Sequence, residues 1–243
     1  MSTTVSVDKK NTKMIAHRGL SSLERENTCP AFIAAANRSY YGIETDVHVC
    51  RDGEFIIIHD DNTARVSGGK YRINVEEITY EELSDIVLPD LDGTFDRSDI
   101  RIPKLSEYIK ICKKYGKRAV LELKNPFAKD DVVRLTDELS RLEYLHGVTF
   151  ISFDFNNCVM LRELLSNADI QWLTSDEISF EMIEKLKRHS FGIDIYYKRL
   201  NREMIDLLHI NGIAVNCWTC DDKSSAEELA LMGVDYITTN ILE

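Results

Sequence analysis

The sequence predicts an α/β chain folded as a TIM (β/α)8 barrel, with a small insertion after a hairpin on the second strand. Three observations carry this expectation. Short apolar β-type runs alternate with amphipathic helical patterns almost from end to end, and such alternation implies parallel βαβ units. The β-type runs number eight, the count that closes a barrel. No glycine-rich dinucleotide loop follows the first run, which weakens the alternative of a doubly wound open sheet.

The expected barrel strands cover 14–16, 42–47, 119–123, 148–152, 170–173, 192–195, 213–217 and 236–238. The first helix, at 30–38, follows a Thr28 cap, and the next, at 104–115, carries Leu105, Tyr108, Ile109 and Cys112 on one face. Helices at 178–189, 201–209 and 224–232 follow the same plan. Asn201 and Ser224 look like N-caps, and Gly212 and Gly233 like helix stops. One stretch breaks the alternation. Residues 53–58 follow the second strand with no room for a crossover helix, and Asp52-Gly53 is a hairpin signal. The second strand is therefore expected to run past the barrel rim, turn, and return His59 and Asp60 to that rim. Residues 61–103 are polar and long for a βα connection. They are expected to be an inserted loop or lid over the barrel mouth within one domain of residues 1–243.

The chain has 243 residues, 44% of them hydrophobic, enough to bury a full core without staples. Its formal charge of −11 argues against non-specific binding to nucleic acid or anionic membranes. The oligomeric state is not legible. Cys217 and Cys220 form the one C-x-x-C and lack the partner pair of a zinc site. Reduced cysteines in a cytosolic protein are the expectation. The N-terminal residues hold no signal-peptide apolar run, and nothing downstream approaches the ~20 apolar residues of a membrane span. The protein is expected to be soluble and cytoplasmic.

The chemistry lies at strand ends. Glu44 and Asp46 stand two apart on a strand and point to the same side. Two carboxylates facing into a barrel are costly to bury unless a hard divalent cation, magnesium or calcium, relieves them. The alternative is a pair of surface carboxylates on an edge strand. Glu122 and Lys124 repeat the spacing, with Leu121 and Leu123 turned outward. Glu122 can complete a metal site and Lys124 can offset phosphate charge, unless the two form only an internal ion pair. His17 and His59 end short apolar runs. Near a metal they suit an acid–base pair, because imidazole titrates near neutrality. Alone, each would be read as a packed rim residue. His48 shares the parity of Glu44 and Asp46 but is expected to be solvated on the protruding hairpin. Arg18-Gly19 follows His17 directly. The glycine lets the backbone approach a ligand, and the guanidinium suits a phosphate oxygen. Trp218 either walls the mouth against a ligand's apolar or cationic head or simply packs the rim.

Taken in order, His17-Arg18-Gly19, Glu26-Asn27-Thr28, Glu44-Thr45-Asp46, Asp52-Gly53 followed by His59-Asp60, Ile102-Pro103-Lys104-Leu105, Glu122-Leu123-Lys124, Ser152-Phe153 and Trp218-Thr219 resemble the glycerophosphodiester phosphodiesterase family from about residue 14 to the C-terminus. The resemblance implies a TIM barrel with a small insertion after His59-Asp60. It implies metal-dependent hydrolysis of glycerophosphodiesters to glycerol 3-phosphate and an alcohol. It further implies a divalent metal on Glu44, Asp46 and Glu122, His17 and His59 as general acid and base, and phosphate contacts from Arg18 and Lys124. Glu26-Asn27-Thr28 matches a motif expected to be mainly structural, capping the first helix. A lysolipid phosphodiesterase of the lysophospholipase D or sphingomyelinase D type, and a non-catalytic phosphodiester-binding barrel, are the alternatives. One departure stands out. The family usually closes its last strand with Thr-Asp and then Pro, whereas this chain has Asn240 in the Asp position and no proline.

Overall fold

A computed structural model describes residues 3–243. Nine strands form one sheet in the order β1-β9-β8-β7-β6-β5-β4-β2-β3, and a further β1–β2 pairing closes it. The eight parallel strands of the barrel are β1 (Lys13–Ala16), β2 (Gly42–Val49), β4 (Arg118–Leu123), β5 (Val148–Ser152), β6 (Asp169–Thr174), β7 (Gly192–Tyr196), β8 (Val215–Trp218) and β9 (Tyr236–Thr239). The seam joins Ile15 to Gly42 on one side and Lys13 to Tyr236 on the other. The barrel expected from the alternation is the one observed.

β3 (Phe55–Ile57) is the hairpin arm. It runs antiparallel to β2, with Val47 opposite Ile57 and Val49 opposite Phe55. Gly53 makes the turn at a φ of +84° that L side chains rarely adopt. A Cβ there would also lie 2.7 Å from Arg134 Nη1.

Helices α1 (Cys29–Ala36), α3 (Leu105–Tyr115), α4 (Lys129–Arg141), α5 (Phe155–Leu164), α6 (Phe180–His189), α7 (Arg202–Ile210) and α8 (Lys223–Met232) follow the barrel strands, and the short α2 (Tyr80–Ser84) lies in the insertion. Thr28 and Asn201 cap α1 and α7 as expected. The cap of α8 is Asp222, not Ser224. The Asp222 carboxylate accepts from Ser225 N at 2.8 Å and from both serine hydroxyls, so Ser224 is drawn into the first turn. Helices α4 and α5 were not among those expected; the N-cap of α4 is Ala128, which makes no side-chain cap bond.

Three apolar regions result. The main one lies between strands and helices and takes the outward side chains Ile43, Val47, Leu121, Leu123, Ile193 and Ile195. A small plug of Ile15, Val120, Ile151 and Leu173 fills the barrel interior. A separate cluster gathers Ile56, Ile58, Val66, Val75, Leu83, Leu88, Ile100 and Ile102 beneath residues 61–103. This third cluster corrects one expectation. His48 is not solvated on a protruding hairpin: it is fully buried, with Nδ1 2.9 Å from Glu76 Oε1 and Nε2 near the His59 carbonyl. The inserted segment folds back over the hairpin and covers it.

Candidate active site

Strand parity builds the site. With Ile43, Thr45 and Val47 turned outward, Glu44 and Asp46 face the barrel interior, and Glu122 joins them from β4, in register with Asp46. Among the described residues these three form the one acidic or metal-ligating group whose ligand atoms all lie within 4.8 Å of one another. All three are buried.

The turn after β1 supplies the next parts. Arg18 and Gly19 are both left-handed, at φ of 55° and 76°. For Arg18 that costs about 1–2 kcal/mol. A Cβ on Gly19 would lie 2.7 Å from the Ala31 carbonyl carbon, so only glycine fits beneath α1. The turn aims the Arg18 amide at Glu44 Oε2, 2.8 Å away. Its guanidinium lies 2.8 Å from Glu26 and 3.5 Å from Asp46, with Nε buried and without an acceptor. Asn27, also left-handed, donates to Asp46 Oδ2 at 2.7 Å and accepts from Thr45. Glu26-Asn27-Thr28 therefore does more than cap α1: Thr28 caps, and its two neighbours hold Arg18 and Asp46.

The electrostatics are those of a crowded carboxylate site. Burial, then Asp46 and Glu122, push Glu44 well above the usual carboxylate range. Burial and Asp46 push Glu122 up to about 8. Burial acts the same way on Asp46, but Lys124, Arg18 and His59 outweigh it and hold that carboxyl below its ordinary value. The Lys124 ammonium lies 2.8 Å from Glu122 Oε1 and 3.4 Å from Asp46 Oδ1. Neither approach has hydrogen-bond geometry, and both oxygens are buried without a donor. Orphaned buried oxygens cost free energy. Three converging carboxylates of this kind fit a hard divalent cation.

Both histidines have their rings set by Nδ1. His59 Nδ1 lies 2.7 Å from Asp60 Oδ1. His17 Nδ1 lies 2.8 Å from Asn240 Oδ1. Each ring is left with Nε2 free; that of His17 is 4.0 Å from Glu44 Oε2. Burial and Arg18 push His17 down to about 4, and burial lowers His59. Arg65, from the insertion, bonds both Glu26 and Asp60, tying the Arg18 side of the site to the His59 side.

A cavity of about 110 Å³ is lined by His17, Arg18, Glu44, His59, Glu122, Lys124 and Trp218, joined by Phe153, Asp194, Thr219, Thr238 and two apolar plug residues. The structure thus brings together His17, Arg18, Glu44, His59, Glu122, Lys124 and Trp218 around one cavity, with Asp46 beside Glu44 and Glu122. Trp218 lines the cavity and packs edge-to-face on Phe153 at 5.6 Å. A larger cleft lies at the other end of the barrel, around Asp169, Gly192 and Ile213, and holds no comparable cluster. The sequence reading missed Asp194, Asp221 and Arg65 and took Glu26 and Asn27 as capping context. Asp194 carried a usable signal, since it alternates with Ile193 and Ile195 as Glu44 and Asp46 alternate with their neighbours.

Comparison with known proteins agrees with this geometry. The model of the Glycerophosphoryl diester phosphodiesterase family matches residues 17–243. YhdW of Bacillus subtilis, named as a candidate glycerophosphodiester phosphodiesterase, is 30% identical over 93% of each chain. The Bacillus altitudinis glycerophosphodiester phosphodiesterase is 25% identical over 94% of each. Among solved structures, a glycerophosphodiester phosphodiesterase from Parabacteroides distasonis superimposes with a TM-score of 0.79 at 28% identity, covering 95% of this chain and 93% of its own. A phosphodiesterase from Oleispira antarctica, in complex with its product sn-glycerol-3-phosphate, shares the fold with a TM-score of 0.85 at 23% identity, covering 97% and 95%.

Proposed function

The chain belongs to the glycerophosphodiester phosphodiesterase family, and from that premise we propose that it hydrolyses glycerophosphodiesters to glycerol 3-phosphate and an alcohol in a metal-dependent reaction. One observation carries the reading: His17 and His59 line a single small cavity with the carboxylate cluster, each with Nδ1 engaged and Nε2 free. A magnesium or calcium ion held by Glu44, Asp46 and Glu122 would supply Lewis acidity at the phosphoryl group.

The remaining work falls to the chain's own side chains. Arg18, whose Nε has no acceptor, and Lys124 bind the phosphate oxygens and offset the charge that develops on them. His17 faces a neutral amide and stands beside Arg18, so it is unprotonated and takes the proton of the attacking hydroxyl at Nε2. That hydroxyl belongs either to water or to the neighbouring carbon of the glycerol moiety; in the second case a cyclic phosphate forms, and water then opens it to glycerol 3-phosphate with the proton roles of the two histidines exchanged. His59 is backed by the Asp60 carboxylate, which holds the ring in place and partly offsets the burial that lowers it. It gives a proton from Nε2 to the departing alcohol oxygen as that phosphorus–oxygen bond breaks. Trp218 and Phe153 wall the side where the alcohol leaves. Residues 61–103 act as a cover within the same domain, supported by Arg65 on Asp60 and Glu76 on His48.

A lysolipid substrate would call for a broad apolar mouth. Here Phe153 and Trp218 share the opening with Arg18, His59, Lys124 and Thr219, which favours a small polar alcohol. No helix among the described residues is long and apolar enough to cross a membrane. The direct test is turnover of glycerophosphocholine by the wild-type protein, with glycerol 3-phosphate as the product measured, in magnesium or calcium and again with a chelator. Release of glycerol 3-phosphate that the chelator abolishes is the expected result. Absence of turnover in either metal overturns the assignment.

A further inference from the structure

Among the described residues, five buried side-chain atoms lack any hydrogen-bond partner. Tyr40 Oη lies away from the cavity. Arg18 Nε, Asp46 Oδ1 and Glu122 Oε1 belong to the phosphate and metal machinery. The fifth is Asp194 Oδ1, on β7, which that machinery does not use. Asp194 is 1% exposed, and its Oδ1 is buried with no hydrogen-bond partner. A buried polar group of this kind calls for an explanation.

The neighbours do not supply one. Asn216, beside it on β8, donates instead to Gln171 at 3.1 Å and accepts from Thr238 at 3.3 Å. These polar residues of the barrel interior satisfy one another and leave Asp194 out. Lys124 and Arg18 pair with Asp46, Glu122 and Glu26, not with Asp194. Yet Asp194 lines the cavity together with Thr238, Leu173 and Ile151. Burial and the Glu122 charge both disfavour its ionised form. A carboxyl oxygen with no hydrogen-bond partner, on the wall of a cavity of about 110 Å³, suits a ligand hydroxyl, which can donate to it.

We infer that Asp194 is a specificity residue that hydrogen-bonds a hydroxyl of the substrate's glycerol moiety at the inner end of the cavity. The inference rests on the phosphodiesterase reading and deepens it. It assigns the glycerol half of the substrate to the barrel interior and leaves the alcohol half to the mouth at Phe153 and Trp218.

Calorimetry on the magnesium-loaded protein tests it, with sn-glycerol 3-phosphate and methyl phosphate as probes, since they share the phosphate but not the hydroxyls. Wild type is expected to prefer glycerol 3-phosphate. Asp194→Leu is expected to cut that preference about tenfold or more, as loss of one buried hydrogen bond does, with methyl phosphate affinity unchanged. Asp194→Asn keeps donor and acceptor and is expected to retain most of the preference. Replacing an unpartnered carboxyl with an apolar side chain is also expected to leave the melting temperature of Asp194→Leu equal or higher, which a structural role for Asp194 would not allow. Asp194→Ala provides the same affinity readout should leucine not fit. The inference is overturned if wild type shows no preference, if both probes weaken together in the Leu and Ala variants, or if neither changes. It is also overturned if Asp194→Ala alters the ranking of glycerophosphocholine against glycerophosphoglycerol, which would place Asp194 at the head group. Each of these results is compatible with intact wild-type turnover, whereas failure of the phosphodiesterase reading is loss of that turnover itself.

Discussion

Asn240 Oδ1 lies 2.8 Å from His17 Nδ1, across 223 residues of sequence. The Asn240 amide nitrogen donates to Asp221 Oδ2 at 2.6 Å, and Ser21 also donates to Asn240 Oδ1. Asp221 can only accept, so it fixes which way the amide faces. The carbonyl oxygen must then face His17, which must carry its proton on Nδ1. Nε2 is left with a lone pair, the form a general base needs. The residue that departs from the family's usual aspartate thus keeps the ring's tautomer while removing the charge behind it.

Replacing Asn240 with Asp restores that charge. Burial and Arg18 hold His17 at about 4. A base must be unprotonated, so the acid limb of kcat/KM is expected at low pH in the wild type. A carboxylate at position 240 favours the imidazolium and raises the His17 pKa. The acid limb of Asn240→Asp is expected to move up by about one to two pH units. A profile unchanged in its acid limb contradicts the assignment of His17 as base.

Asp221→Ala tests the orientation of the amide. Without Asp221 the Asn240 amide nitrogen loses its acceptor and only Ser21 still holds the carbonyl oxygen, so the flipped amide, with its nitrogen facing His17 and the tautomer reversed, gains population. kcat is expected to fall about 10–100-fold, the usual scale for groups that orient a reacting residue, with little change in KM. Nitrogen NMR of the His17 ring gives the tautomer directly.

Metal binding is expected to depend on pH. The cation needs deprotonated ligands, and Glu122 is pushed up to about 8. Magnesium affinity should therefore rise with pH up to that value, with protons released on binding. In the metal-free protein the native state holds protons that the unfolded chain has lost above the ordinary carboxylate value. Its stability is therefore expected to decline as pH rises from the ordinary carboxylate range to about 8, and magnesium should remove that decline. Melting curves in chelator and in magnesium at pH 5 and pH 8, with titration calorimetry in two buffers, check both points. Glu122→Gln should weaken the metal about 10–100-fold or more.

Gly19→Ala is expected to destabilise the protein by at least about 1–3 kcal/mol. The cause is double: a φ of +76° and a Cβ placed 2.7 Å from the Ala31 carbonyl carbon. Because the same turn aims the Arg18 amide at Glu44, activity should fall further than stability alone explains. Denaturant unfolding and turnover of one preparation separate the two effects.

The barrel and the core of the site were legible because both rest on local periodicity. Alternating runs gave the strands, and the period of two put Glu44, Asp46, Glu122 and Lys124 on the inner face. The Asp52-Gly53 turn returned His59 to the rim. What was not legible rests on side chains that meet across long separations. His17 with Asn240, Arg65 with Glu26 and Asp60, and His48 with Glu76 leave no periodic trace. The last of these explains the error over His48, since nothing local says that residues 61–103 fold back to cover the hairpin. Asp222 displaced Ser224 as a cap because a carboxylate two and three residues upstream captures both serine hydroxyls and the Ser225 amide.

The central claim is that two imidazoles beside one carboxylate-held cation perform the proton transfers of phosphodiester hydrolysis. Its most direct test is kcat for glycerophosphocholine in His17→Ala and His59→Ala, under saturating magnesium or calcium, with folding verified by melting temperature. Each variant is predicted to lose about 10²–10⁴-fold in kcat, the contribution of one general acid or base. Near-wild-type turnover in either folded variant would contradict the account.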